Sequence, residues 1–362
     1  MSSRRYAILT EGHLLDRRAK TAHGLIQYGR DDIVAVIDSQ FAGRDVGDVL
    51  PRLGKRAPIV GSLRDALAYG PTSLLLGVAN QGGFIPQAFR PQILDAIDAR
   101  LEIVSGLHQL LADDAEFVAR AQASGARLWD VRVPPPNIPL FSGAAYRVPQ
   151  VVALAVGSDC AVGKKSVMIE LERAARGAGD AAEFVATGQT GVLIAGKGIA
   201  VDRVISDFIT GAAEQLVLDV APDTRYTLVE GQGSLWHPAY APVTAGLVFG
   251  CAPDLFVMCV DTDRTSIEEH DVPLPPLAEM IHAYEALVKA VKPARCAVVA
   301  VNTATLDDAH ARAAIADAEA LTGLPADDVV RFGGSKLWRA LRDAADRTPK
   351  RHAKAAAHRG TA

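Results

Sequence analysis

One segment limits what this chain can fold into more than any other. The apolar, β-branched run Val151 to Val156 leads into a glycine-rich loop, and an amphipathic stretch from Lys164 to Ala178 follows. The loop reads Gly157, Ser158, Asp159, Cys160, Ala161, Val162, Gly163, Lys164, Lys165, Ser166. A strand, a glycine-rich turn and a helix, in that order, make the frame of a phosphate cradle. Backbone N–H groups of the loop and first helical turn converge on the anion. Gly163 lets backbone approach the ligand, and Lys164 adds a point charge. All ten residues are candidate cofactor-binding residues. A chance glycine-rich turn is the bland alternative, and the flanking strand and helix weigh against it.

Two departures from G-x-x-x-x-G-K-[ST] matter. Gly157 lies one residue further from Gly163, so Ser158 occupies the first-glycine position. Lys165 follows Lys164, and the hydroxyl arrives only at Ser166. In the standard loop that hydroxyl ligates magnesium. Its displacement argues against magnesium-dependent triphosphate chemistry and leaves phosphate binding intact. Cys160 reads first as a small packing residue and second as a nucleophile at a helix N-terminus.

The chain has 362 residues, more than one hydrophobic core usually supports. Before the loop, β and α patterns alternate: strands at Tyr6 to Thr10, Ile33 to Asp38, Ile59 to Val60, Ser73 to Val78, Glu102 to Leu107 and Arg127 to Val133. Helical spacing fills Asp16 to Tyr28, Leu63 to Tyr69, Gln87 to Arg100 and Asp113 to Ala123. Pro134, Pro135 and Pro136 then break the pattern. The second series predicts strands at Val151 to Val156, Ala182 to Ala186, Thr227 to Glu230, Leu255 to Val260 and Cys296 to Val301. Its helices are Lys164 to Ala178, Val201 to Val217, Leu277 to Lys292 and Asp307 to Thr322. Two α/β domains with parallel sheets follow: residues 1–133, a proline-rich linker 134–148, and residues 149–346. A basic, disordered tail is expected over 347–362.

Other classes are disfavoured. A net charge of −4 gives no whole-chain signal for nucleic acid. Four cysteines without a C-x-x-C pair suit neither a zinc site nor a disulfide framework, so no metal is predicted. No apolar run reaches membrane-spanning length. The expectation is a cytoplasmic enzyme with a small-molecule substrate, assembled as a symmetric homo-oligomer.

In parallel sheets ligands bind beyond the carboxyl ends of the strands. Three further polar loops fall there. Thr187, Gln189 and Thr190 follow one strand. Glu230, Gln232, Ser234, His237 and Tyr240 follow the next, and Arg264 the one after. Glu230 can act as a base, ligate magnesium or merely cap N–H groups. His237 is a general base or a loop histidine bonded to backbone. Arg264 is a carboxylate clamp or a solvated surface charge. Thr187, Gln189, Thr190, Gln232, Ser234, Tyr240 and Arg264 are candidate substrate-binding residues. Glu230 and His237 are the candidate catalytic pair. Asp38, at a strand end, touches a ribose or caps a helix.

The strings GSDCAVGKKS, FVATGQTG, DFITGAAEQLV and VEGQGSLWHPAY, with the DVRVPPP linker, resemble a bacterial and archaeal family of two-domain P-loop proteins. Its characterised member is D-glutamate N-acetyltransferase. The resemblance spans nearly the whole chain and implies a Rossmann-like domain before a P-loop NTPase-like domain. It also implies transfer of an acetyl group from acetyl-CoA to the amine of D-glutamate or a related acidic D-amino acid. Coenzyme A carries a phosphorylated ADP moiety, so the loop can anchor it without hydrolysis, and magnesium becomes optional. The loop is similar also to that of dethiobiotin synthetase, where Thr directly follows the Lys. An ATP- and magnesium-dependent ligase or kinase is therefore the first alternative, and a non-catalytic nucleotide-binding regulator the second.

Overall fold

The computed structural model describes residues 4–348; the expected tail lies, from Pro349 onward, outside the described residues. The chain forms two compact units. The first contains residues 1–134 and 189–203; the second contains 135–188 and 204–362. The chain thus first crosses between units within the proline run. It also crosses back and forth around Gln189–Arg203, which a single linker does not anticipate.

The first unit holds one parallel sheet. Its strands are β1 (Arg5–Leu9), β2 (Asp32–Ile37), β3 (Ile59–Val60), β4 (Ser73–Leu76), β5 (Glu102–Ser105) and β6 (Leu128–Asp130). The spatial order is β3-β2-β1-β4-β5-β6. This is the doubly wound order, reversing direction between β1 and β4. Strands covered on both faces need apolar residues on both. Accordingly Ile8, Leu9, Leu74, Leu75, Ile103 and Val104 are all fully buried. Helices Lys20–Tyr28, Arg90–Asp98 and Ala115–Ser124 provide cover, and Phe89, Ile93, Ile97 and Phe117 complete the core. Asp38 is buried and serves as a cap: its carboxylate accepts from the amides of Gln40 and Leu14, each at 3.1 Å.

The segment Gln189–Arg203 belongs to this unit. Its short helix, Gln189–Ala195, is followed by a 3-10 turn at Val201–Arg203. Arg132, buried, donates to the Gly106 carbonyl at 2.6 Å and pairs with Asp202. Arg203 donates to the His108 carbonyl at 2.8 Å. The hydroxyls of Thr21 and Thr190 meet at 3.2 Å. The predicted continuous helix Val201 to Val217 is therefore interrupted, and its α-helical part is Ser206–Leu218.

The second unit is another parallel sheet: β7 (Val151–Gly157), β8 (Ala182–Val185), β9 (Tyr226–Val229), β10 (Leu255–Asp261), β11 (Arg295–Asn302) and β12 (Ala326–Asp327). The order β12-β11-β10-β7-β9-β8 puts β7 where the winding direction reverses. Ligand crevices open at such a point, and the glycine-rich loop leaves β7 there. Helix Lys164–Gly177 follows it. Helix Ser335–Asp346 packs against that helix and β11, with Trp338 buried edge-on to Tyr226 at 4.8 Å.

Candidate functional site

Four loops of the second unit, each after a parallel strand, build the site. The loop after β7 starts as a continuation of the ladder, with the Ser158 amide on the Cys259 carbonyl at 3.0 Å. It ends at Gly163, whose φ of 101° lies in the left-handed region. A side chain there would be strained, so glycine sets the helix entry. Lys164, the first helical residue, is almost fully enclosed. Its Nζ donates to the Asp159 carbonyl at 2.6 Å. Burial holds its pKa below the usual lysine value, opposed by the nearby Cys160, Cys259, Asp159 and Glu230. The Lys164 ammonium and the loop amides can donate to a phosphate once it replaces this internal acceptor.

Asp159 is the hub of the loop. Its carboxylate accepts from its neighbour's amide, Cys160 N, at 2.7 Å. It also accepts from Arg264 at 3.0 Å and from the Glu268 amide at 2.6 Å. Arg264 reaches Glu268 at 3.3 Å as well. The guanidinium predicted to clamp a substrate thus holds the loop after β10 to the loop after β7. Tyr284, not singled out in the sequence, is a second tie. Its hydroxyl donates to the Gly157 carbonyl at 3.0 Å and accepts from the Leu235 amide at 3.3 Å. Its isolated position in a helical stretch carried no sign of this.

The loop after β9 passes over β7 so closely that a Cβ at Gly231 would sit 1.8 Å from the Ala155 carbonyl oxygen. Only glycine fits. Glu230, just before it, is buried, and its Oε2 accepts from the amides of Thr187 and Gly188, each at 3.0 Å. The Thr187 hydroxyl returns a bond to the Glu230 carbonyl at 2.8 Å, and Gln232 donates to that hydroxyl at 3.2 Å. Ser234 is buried, accepting from the Trp236 amide at 3.3 Å. Thr244 holds the Gln232 carbonyl at 2.7 Å.

His237 is only 2% exposed, and its Nδ1 has no hydrogen-bond partner. Its ring lies 4.5 Å from that of Tyr240 and 5.2 Å from that of His270, centroid to centroid. One ligating atom each of Asp159, Cys160 and His237 lies within 4.8 Å of the other two. Cys160 differs from the other thiols. Burial pushes Cys251, Cys259 and Cys296 up to about 12, whereas Cys160 is partly exposed.

The sequence-predicted residues therefore separate. Asp159, Cys160, Lys164, Thr187, Glu230, Gln232, Ser234, His237, Tyr240 and Arg264 belong to the second unit. Gln189 and Thr190 count with the first, as part of its added helix.

Comparison with known proteins agrees with this architecture. Residues 39–134 match a model described as a DUF1611 N-terminal Rossmann-like domain. Residues 139–338 match the DUF1611 C-terminal P-loop domain, a domain of unknown function. A D-glutamate N-acetyltransferase of Tritonibacter scottomollicae is 36% identical over 327 residues, covering 89% of this chain and 94% of that protein. One from Pseudoalteromonas is 36% identical over 274 residues, covering 75% and 82%. A crystal structure of a DUF1611 family protein from Anabaena variabilis superposes with a TM-score of 0.90 at 38% identity, covering 94% of this chain and all of the other. With a Rossmann-like unit and a P-loop unit both matched, this chain belongs to the DUF1611 family.

Proposed function

We propose that this chain is an N-acetyltransferase that moves the acetyl group of acetyl-CoA to the amine of D-glutamate or a related acidic D-amino acid. The observation that carries this reading is the likeness, over 89% of the chain, to a relative of that name. The site supports it chemically. Lys164 and the amides of the loop and first helical turn are suited to the cosubstrate's phosphates. Lys165 after Lys164 removes the usual magnesium hydroxyl, which phosphate anchoring alone does not need.

Acyl transfer to an amine needs an acceptor for the ammonium proton. We assign that role to Glu230. Two amides on Oε2 fix its carboxylate in place, so its second oxygen has a set direction. The amine then attacks the thioester carbonyl, and coenzyme A leaves as the thiol. Thr187 and Gln232, joined by a hydrogen bond at 3.2 Å, and Ser234 are assigned as substrate contacts near Glu230. In this reading Arg264 acts indirectly, by holding Asp159.

The test is direct. Enzyme, acetyl-CoA and D-glutamate, followed by mass spectrometry, should yield N-acetyl-D-glutamate and CoA in equal amounts. Absence of product across roughly pH 7 to 9, where the unprotonated amine fraction rises, would sink the reading. Glu230→Gln should lower kcat by about 100-fold or more while leaving the acetyl-CoA thermal shift in place. A shift with ATP and magnesium but none with acetyl-CoA would instead favour a ligase or kinase.

A further inference from the structure

We propose that Asp159, Cys160 and His237 form a binding site for a divalent, thiolate-accepting transition metal, zinc being the best match. The site stands independently of the acetyl-transfer reading. A thiolate, an imidazole and a carboxylate are a donor set for such an ion. Hard, strictly octahedral magnesium is a poor match for sulfur. In the structure the three ligating atoms already cluster within 4.8 Å, close enough for small side-chain rotations to close around one ion.

The second observation is the buried imidazole. His237 Nδ1 is enclosed and has no hydrogen-bond partner. A polar atom left so is costly unless something not yet present satisfies it. The ring's neighbours are aromatic, Tyr240 and His270, and neither accounts for that nitrogen.

Asp159 can serve although Arg264 also holds it, since each carboxylate oxygen has more than one acceptor direction. Arg264 and the Glu268 amide act as the outer partners that orient a ligating carboxylate. Three protein ligands leave a fourth position for water or an anion such as a phosphate oxygen, the pattern of an open zinc site. The cation of a standard phosphate loop sits on the hydroxyl after the lysine; here the metal would sit on the loop's own Asp159 and Cys160 instead. Spacing along the chain conceals the site because Cys160 and His237 come from the loops after different strands.

The experiment uses the full chain, stripped with a chelator and then titrated with cobalt(II) or zinc. The expected result is one metal per chain, with a thiolate-to-cobalt charge-transfer band in the near ultraviolet that zinc displaces. Cys160→Ser should abolish the band, and Cys160→Ser and His237→Ala should each weaken binding at least about tenfold, as losing even an outer partner commonly does. In the wild-type chain, zinc should protect Cys160 from alkylation, read by peptide mass spectrometry. The proposal is overturned if the wild type shows no charge-transfer band, if the band persists in Cys160→Ser, or if zinc leaves Cys160 alkylation unchanged. All these readouts are independent of N-acetyl-glutamate formation, so failure here and failure of the acetyl-transfer reading are separately visible.

Discussion

Lys164 shows how one residue can be set against stability for function. Enclosure lowers its pKa below the ordinary 10.5. The unfolded chain therefore binds this proton more readily than the folded one between the lowered value and 10.5. Stability contributed at this position rises with pH across that window, by at most about 1.4 kcal/mol per pH unit. Lys164→Met has no such proton. Urea titrations from neutral pH upward should show the wild type gaining on Lys164→Met as pH rises; parallel curves would contradict the enclosed ammonium. The variant should also lose its thermal shift with acetyl-CoA, because ligand stabilisation by mass action requires the site. Glu230 and Arg264 carry a related lesson. Their charges were readable as catalytic or clamping groups, but the amides of Thr187 and Gly188 and the carboxylates of Asp159 and Glu268 take up part of their bonding capacity. Apart from Glu268, four residues after Arg264, these partners come from loops distant in sequence, so no local pattern announces them.

At the scale of elements, strands were legible because buried parallel strands are short apolar runs. Ile59–Val60 matches its predicted range, Ser73–Leu76 and Ala182–Val185 end two residues and one residue early, and Tyr226–Val229 is shifted by one residue. No element was assigned from sequence to helices Gln189–Ala195, Ala241–Cys251 and Ser335–Asp346. Gln189 to Ile194 are all buried, so that helix has no polar face to give it a period. Ala241–Cys251 is apolar except for Thr244 and carries Pro242 at its start, which likewise hides periodicity. Ser335–Asp346 is different: Leu337, Trp338, Leu341 and Ala345 mark one face at helical spacing, a signal the sequence does carry. The Gln189–Arg203 segment is clasped by Arg132 on Asp202. Arg132→Ala leaves the partly buried Asp202 carboxylate with only the longer His108 contact at 3.7 Å, a loss on the order of 1–2 kcal/mol. Hydrogen exchange should then accelerate over 189–203; unchanged protection would mean the clasp is dispensable.

On the scale of the whole molecule, neither compact unit is a continuous stretch of chain. A fragment ending at Pro134 would lack the helix that packs on Lys20–Tyr28 and the carboxylate that meets Arg132. Such a fragment should melt at lower temperature than the same unit in the full chain, or fail to fold, whereas a fragment supplied with 189–203 as a separate peptide should recover stability. Equal melting with and without the peptide would show that the segment adds nothing. No helix among the described residues is long and apolar enough to cross a membrane.

What the sequence determined by itself is the α/β class, the two parallel-sheet series and the phosphate loop, because each rests on local rules: apolar runs, helical periods, and glycine and lysine at the mouth of a helix. Only the tertiary structure decided which unit owns Gln189–Arg203, how the carboxylates of Glu230 and Asp159 are held, and that Cys160 and His237 meet. The last two outcomes depend on loops that are far apart along the chain but follow strands that are neighbours in the sheet, converging around β7. Contact between distant loops is a property of topology and close packing, and spacing along the chain carries no trace of it.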